Sequence, residues 1–234
     1  MKNKNIIYKN FIPLSLLNIR NKKNLSKKLN IIFDNTINDL KKPNNFIHTL
    51  DKNFKLNFEI KDLNKYKRFK FIAIIGMGGS ILGSKALFYF LKDYLKKNLF
   101  FFDDINLTQL KNLKNRSKTL FIIISKSGKT VETLSNFLSL KIVKKDAKNI
   151  IIISEKNNNP LYTLAQKMNL HHIEHRNYVG GRFSIMSEVG IIPAVLMGVK
   201  FQKLRKNSLA PLKYNKIFLK DSILKLACIY KKKI

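Results

Sequence analysis

Leu120-Phe121-Ile122-Ile123-Ile124 runs directly into Ser125-Lys126-Ser127-Gly128-Lys129-Thr130-Val131-Glu132-Thr133. A short, continuous apolar run is the pattern of a strand covered on both faces, as in a parallel sheet. Beyond it, Val131, Leu134, Leu138 and Ile142 recur at helical spacing and predict an amphipathic helix. The hydroxyls, the two lysines and Gly128 therefore stand at a strand-to-helix turn. There the first N–H groups of the helix lack intrahelical acceptors, and the helix dipole favours a negative charge. Such a turn is suited to a phosphate group.

The same texture recurs on either side. Phe71-Ile72-Ala73-Ile74-Ile75 predicts a buried strand that ends in Gly76-Met77-Gly78-Gly79-Ser80, with Leu87, Leu91, Tyr94 and Leu95 on the inner face of the helix that follows. Further strands are predicted at 99–102, 149–153 and 170–174, with helices near Leu107 to Leu113 and Leu161 to Met168. Strands alternating with helices indicate an α/β fold, a three-layer αβα sandwich around a five-stranded parallel sheet. A flavodoxin-like strand order is expected, with 71–75 beside 120–124. In such sheets ligands bind beyond the C-terminal strand ends, where the strand order reverses. Both glycine/serine turns, 76–80 and 125–130, fall there.

Before this region, Leu25, Leu29, Ile32, Phe33, Ile37 and Leu40 repeat at helical spacing until Lys41-Lys42-Pro43. Ile47 to Lys67 reads as a short helix plus connection. After it, Leu219, Ile223, Leu226, Ala227 and Tyr230 predict a last helix. The expected division is a helical lead-in over 1–67, an α/β domain over 68–200, and a linker with its helix over 201–234.

Composition narrows the class. The 234 residues carry 46 Lys+Arg against 14 Asp+Glu, a net charge of +32. The lysines are spread along the chain, not gathered in a stripe, and asparagine, isoleucine and phenylalanine are abundant with them. This is a global bias and does not favour nucleic-acid binding. No apolar run approaches the ~20 residues of a membrane span, and Met1 to Ile7 lacks the apolar stretch of a signal peptide. The single cysteine, Cys228, cannot pair within the chain, so a reducing cytosol is expected.

Several motifs fail on inspection. Ile81 stands where a dinucleotide fingerprint needs its third glycine, and Ile123 where a Walker A loop needs its first. His171, His172 and His175 lie on a strand and loop pattern with no cysteine or acidic cluster, so no metal site is expected. Glu132 suits a first helical turn better than the role of a base. Arg182, after Gly180-Gly181 and before Phe183-Ser184, is a candidate functional cation because the glycines allow a sharp turn in apolar surroundings.

Three stretches together resemble the glucose-6-phosphate isomerase family of the sugar-isomerase (SIS) superfamily. They are Gly76-Met77-Gly78-Gly79-Ser80-Ile81-Leu82-Gly83, Ser125 to Thr133, and Val179-Gly180-Gly181-Arg182-Phe183-Ser184. The resemblance implies aldose–ketose isomerisation of glucose 6-phosphate and fructose 6-phosphate through an enediolate, without a cofactor. It assigns Gly79, Ser80, Ser125, Lys126, Ser127 and Thr130 to the phosphate. It places Gly181 and the catalytic Arg182 beside C1 and C2, where a guanidinium stabilises the developing oxyanion. Ser127 departs from the family's usual threonine. The family's base lies in a Glu-Ser-Leu-Gly-Lys-like motif of a second SIS domain, and that motif does not occur in this sequence. The chain is therefore expected to be the N-terminal part of an isomerase that is a homodimer at full length. The alternative is a non-catalytic sugar-phosphate-binding domain of a regulatory protein.

Overall fold

The computed structural model describes residues 11–13, 19–105, 113, 115–209 and 216–232. Among them are five parallel strands, β1 (Phe71–Gly76), β2 (Asn98–Phe102), β3 (Thr119–Ile124), β4 (Ile150–Ser154) and β5 (His171–Glu174). They form one sheet in the order β2-β1-β3-β4-β5. The flavodoxin-like prediction holds, and no strand bound differs from it by more than one residue.

Burial explains the apolar runs. All six residues of β3 are buried, because β1 and β4 flank it and both faces are covered. The edge strands β2 and β5 alternate or are only partly covered. One sheet face carries Ile72, Ile74, Leu120, Ile122, Ile124, Ile151 and Ile153. It packs against α2 (Gly79–Leu91), against α5 (Glu188–Met197) and against Leu63 and Tyr66 of a 3-10 helix. The opposite face presents Ala73, Ile75, Phe121, Ile123, Ile150 and Ile152 to α3 (Val131–Ser139) and α4 (Pro160–Lys167). Each fully buried isoleucine contributes about 1.5–3 kcal/mol. α5 is buried along its whole length, so no amphipathic period marks it.

The lead-in comprises α1 (Ile19–Asp39) and 3-10 helices at Phe46–Leu50 and Ile60–Tyr66, and the chain continues after α5 into α6 (Phe201–Ser208) and α7 (Lys216–Lys232). Leu50, Leu56, Phe58 and Ile60 pack against the first core face, so the lead-in contributes to the main core. α7 lies against α1, with Lys220 Nζ donating to Asn30 Oδ1 at 2.6 Å and lying over the Phe33 ring.

Some helix faces differ from the sequence reading. In α3 the buried residues are Thr133, Asn136 and Phe137, whereas Val131 and Leu138 are 71% and 57% exposed. The helix ends at Ser139, so Ile142 lies beyond it. The inner face escaped notice because two of its members are polar; Asn136 Nδ2 donates to the Asp104 carbonyl at 2.7 Å. α2 stops at Leu91 and a 3-10 turn follows, which leaves Tyr94 exposed. In α1, Phe33 and Leu40 next to it are buried but Ile32 is exposed. In α7 the buried apolar residues are Leu224 and Cys228, with Lys225 buried beside them, while Ile223, Leu226 and Tyr230 are exposed. The helix predicted near Leu107 to Leu113 falls, apart from Leu113, outside the described residues.

Candidate functional site

Strand register brings the first two motifs together. Gly76 at the end of β1 pairs with Ile124 at the end of β3, so the 77–80 and 125–130 turns leave the sheet side by side. A Cβ at Gly76 would lie 2.8 Å from the Ile124 oxygen and 3.3 Å from Ser80 Cβ. Only a hydrogen fits there, and that lack of a side chain lets Ser80 approach the Ser125 turn.

The third motif closes on the first. A Cβ at Gly79 would lie 2.3 Å from the Gly181 carbonyl carbon and 2.5 Å from the Arg182 nitrogen. The 79–80 and 181–182 backbones are thus in direct contact. Ser184 fixes this arrangement, its hydroxyl donating to the Gly181 carbonyl at 2.6 Å and reaching the Gly79 carbonyl at 3.5 Å. Three turns far apart in sequence converge at the C-terminal edge of the sheet.

Within the 125–130 turn, Ser125 is buried and its hydroxyl meets the Thr130 hydroxyl at 2.8 Å. Thr130 is the N-cap residue of α3, yet its side chain makes no capping bond. The pairing with Ser125 therefore leaves the helix N-terminus open to another acceptor. Ser127 is exposed and its Oγ accepts from the Lys129 N–H at 3.2 Å. Lys126 turns aside, its ammonium donating to the Asn177 carbonyl and lying 3.8 Å from Glu155. Gly128 has φ +64, and a Cβ there would fall 1.7 Å from Asn159 Oδ1. Asn159 thus supports the turn from below while its Oδ1 caps α4 by accepting from the Tyr162 N–H at 2.9 Å. Asn159-Pro160 reads as a helix start in sequence, but its contact with Gly128 does not.

Arg182 is exposed beside the contact of the glycine turns, and among the described residues its guanidinium has no hydrogen-bond or ion-pair partner. Glu188, in contrast, is fully buried. Its Oε1 accepts from the Asn57 N–H at 2.9 Å and lies 3.8 Å from Arg176 Nε. Burial pushes its carboxyl up, opposed by its own backbone N–H, by the Asn57 N–H and by Arg176 and Arg205. A carboxylate so enclosed is not available to a substrate, and Glu132 sits in the first turn of α3.

The histidines separate. Alternation along β5 sends His171 to Tyr66, with the Tyr66 hydroxyl 2.6 Å from Nδ1, and His172 to Ser154, where Nε2 lies 3.0 Å from Oγ. His175 is buried with Nδ1 on the Arg176 carbonyl. Burial raises Tyr66 to about 12, against Arg68, and lowers His172 to about 4, against its Ser154 bond. Burial lowers His171 and His175 as well. Between ~6.5 and about 4 the unfolded chain takes up a proton at His172 that the folded chain refuses. The stability from the neutral ring is complete above that window and is lost as pH falls through it. The melting temperature should therefore fall from pH 7 to 4, and His172→Gln should flatten the decline. An unchanged slope in the folded variant would contradict this.

The comparisons establish the fold and the family. A hypothetical protein from Thermus thermophilus superposes with a TM-score of 0.63 at 24% identity, covering 89% of this chain and 53% of that one, which shows a shared fold. Glucose-6-phosphate isomerase of Methanocaldococcus jannaschii is 32% identical over 153 residues, 62% of this chain and 38% of the relative. The Campylobacter jejuni glucose-6-phosphate isomerase is 30% identical over 210 residues, 85% of this chain and 52% of the relative. This chain thus spans about half or less of the length of these relatives. No helix among the described residues is long and apolar enough to cross a membrane. The phosphoglucose isomerase family model matches residues 26–220, which takes in all three converging turns, and the chain belongs to that family.

Proposed function

We propose that the three converging turns bind glucose 6-phosphate and fructose 6-phosphate and serve their interconversion. The observation that carries this is the direct backbone contact of Gly79 with Gly181 and Arg182, next to the open N-terminus of α3. The phosphate sits at that N-terminus, held by the hydroxyls of Ser80, Ser125, Ser127 and Thr130 and by main-chain N–H groups. Gly79 permits the close approach, and Lys126 contributes its main-chain N–H and its charge. Gly181 and Arg182 then face C1 and C2. A base removes the proton beside the carbonyl, negative charge develops on oxygen, Arg182 stabilises the enediolate, and the proton returns to the neighbouring carbon. Protons move and no net redox change occurs, so the reaction calls for no cofactor. The base belongs to a second SIS domain, towards which residues 201–234 lead from the 68–200 domain and its 1–67 lead-in. The full-length protein acts as a cytosolic homodimer.

Ser125→Ala combined with Thr130→Ala tests the phosphate assignment. Each lost charge-assisted hydrogen bond is worth ~1.5–3 kcal/mol, so fructose 6-phosphate affinity should fall at least tenfold while the fold is kept. Unchanged affinity in a calorimetric titration of the folded double variant would sink the assignment.

A further inference from the structure

Arg182 is exposed and, among the described residues, without a partner of its own, so its place depends on the segment that carries it. That segment runs from Arg176, just past β5, to Glu188, the first residue of α5. Its two ends and its middle all attach to one stretch of the lead-in. Arg176 donates from Nε to Asn57 Oδ1 at 3.1 Å, from Nη2 to the same oxygen at 2.6 Å, and from Nη2 to the Lys55 carbonyl. Asn57 returns a bond from Nδ2 to the Glu174 carbonyl at 3.2 Å and donates its own N–H to Glu188. The Phe54 ring lies under two guanidinium groups, 4.6 Å from Arg176 and 5.2 Å from Arg205. Arg205 ties the Phe54 carbonyl, at 3.0 Å, to the Met186 carbonyl, at 2.8 Å. Phe183, next to Arg182, packs against Phe46 with ring centroids 4.7 Å apart and the rings tilted by 37°.

We infer that residues 46–57 are a positioning element for Arg182, acting through Arg176, Glu188 and Phe183. The inference rests on the proposed sugar-phosphate reading and deepens it. Fixed attachments at both ends of an eleven-residue span, 177–187, narrow the conformations open to the loop. A cation that stabilises a developing charge is effective only when it is held before the reaction. The lead-in sets the reacting end of the site; its residues 46–57 make no hydrogen bond to the 125–130 turn among the described residues, and that turn meets the 177–187 span through the Lys126 ammonium on the Asn177 carbonyl. Disturbing the lead-in should therefore weaken recognition of the reacting carbons and spare recognition of the phosphate.

The test uses the 234-residue chain and two probes, inorganic phosphate and 5-phosphoarabinonate, whose carboxylate copies the charge of the enediolate. Asn57→Ala removes an exposed side chain and should fold; Arg176→Ala removes the larger anchor. Both should keep phosphate affinity within about twofold and lose about tenfold for 5-phosphoarabinonate, in the range that misplacement of a positioned group produces. Because the anchors act through Arg182, adding Asn57→Ala to Arg182→Ala should cause no further loss, a non-additivity that a general loss of structure would not give. Wild-type affinity for 5-phosphoarabinonate in Asn57→Ala, or losses that add to those of Arg182→Ala, would overturn the inference while leaving the phosphate reading intact. Failure of the unsubstituted chain to bind either probe would overturn both.

Discussion

Gly79→Ala should cost about 1–3 kcal/mol of stability and reduce the affinity for a sugar phosphate by at least ~10-fold, since a displacement of about 1 Å at a site can cost ~10². Alanine itself is acceptable at this backbone conformation, because Gly79 is a helical residue without a positive φ. The conflict is with neighbouring main chain. The new methyl would stand 2.3 Å from the Gly181 carbonyl carbon and 2.7 Å from its oxygen. Backbone on both sides cannot rotate away as a flexible side chain would, so the 79–80 and 181–182 turns must separate. Gly78→Ala is the control. Its φ of +52 is unfavourable for alanine, but nothing lies within 4 Å of the new methyl. With ψ at −124 this position also lies outside the left-handed helical region, so the substitution should lose about 1–3 kcal/mol without parting the turns. Urea unfolding and titration with fructose 6-phosphate measure both effects. A Gly79→Ala protein with unaltered affinity would show that contact of the two turns is not needed for the site.

The second large effect concerns turnover. The 234-residue chain alone should isomerise fructose 6-phosphate ~10²–10⁴-fold more slowly than a full-length relative, the usual cost of losing a base. Glu188 is enclosed by Asn57, Arg176 and α5, with no exposed surface. Glu132 is spent on the first turn of α3, where its charge complements the helix dipole. The family resemblance places the base in a second domain, and this chain corresponds to 38–52% of the two relatives described above. Supplying a second-domain polypeptide should restore activity to the mixture, and Arg182→Ala should abolish the restored rate. Turnover by the chain alone at a rate typical of enzymes, ~1–10³ per second, would mean that one of its own carboxylates acts as the base.

Much of this was legible before the structure. The continuous apolar strands announced a covered parallel sheet, because Leu120 to Ile124 and Ile150 to Ile153 can be satisfied only with neighbours on both faces. That the turns after Gly76 and at Ser125 leave the same edge of the sheet was legible because both follow such strands. Pairwise contacts were not legible. Nothing in Gly79 alone says that Gly181 lies against it, and nothing in Gly128 says that Asn159 fills the missing side chain's place. The buried faces of α3 and α7 were misread because Thr133 and Asn136 are polar, and because Leu224 and Cys228 lie one residue off the stripe that Ile223 and Ala227 suggest. The Arg176–Asn57–Glu188 network was invisible for a different reason: its members are 119–131 residues apart from Asn57, and charged residues with no local motif read as surface.

The central claim is that the turn from Ser125 to Thr130 is the phosphate site, and backbone amide resonances test it most directly. Titrating the isotope-labelled chain with inorganic phosphate and then fructose 6-phosphate should shift the amides of Ser127, Gly128, Lys129 and Thr130 with both ligands. The amides of Gly181 and Arg182 should respond only to the sugar phosphate. Shifts confined to other basic surfaces, such as that around Lys65, Arg68 and Lys148, with the 127–130 amides unmoved, would contradict the account.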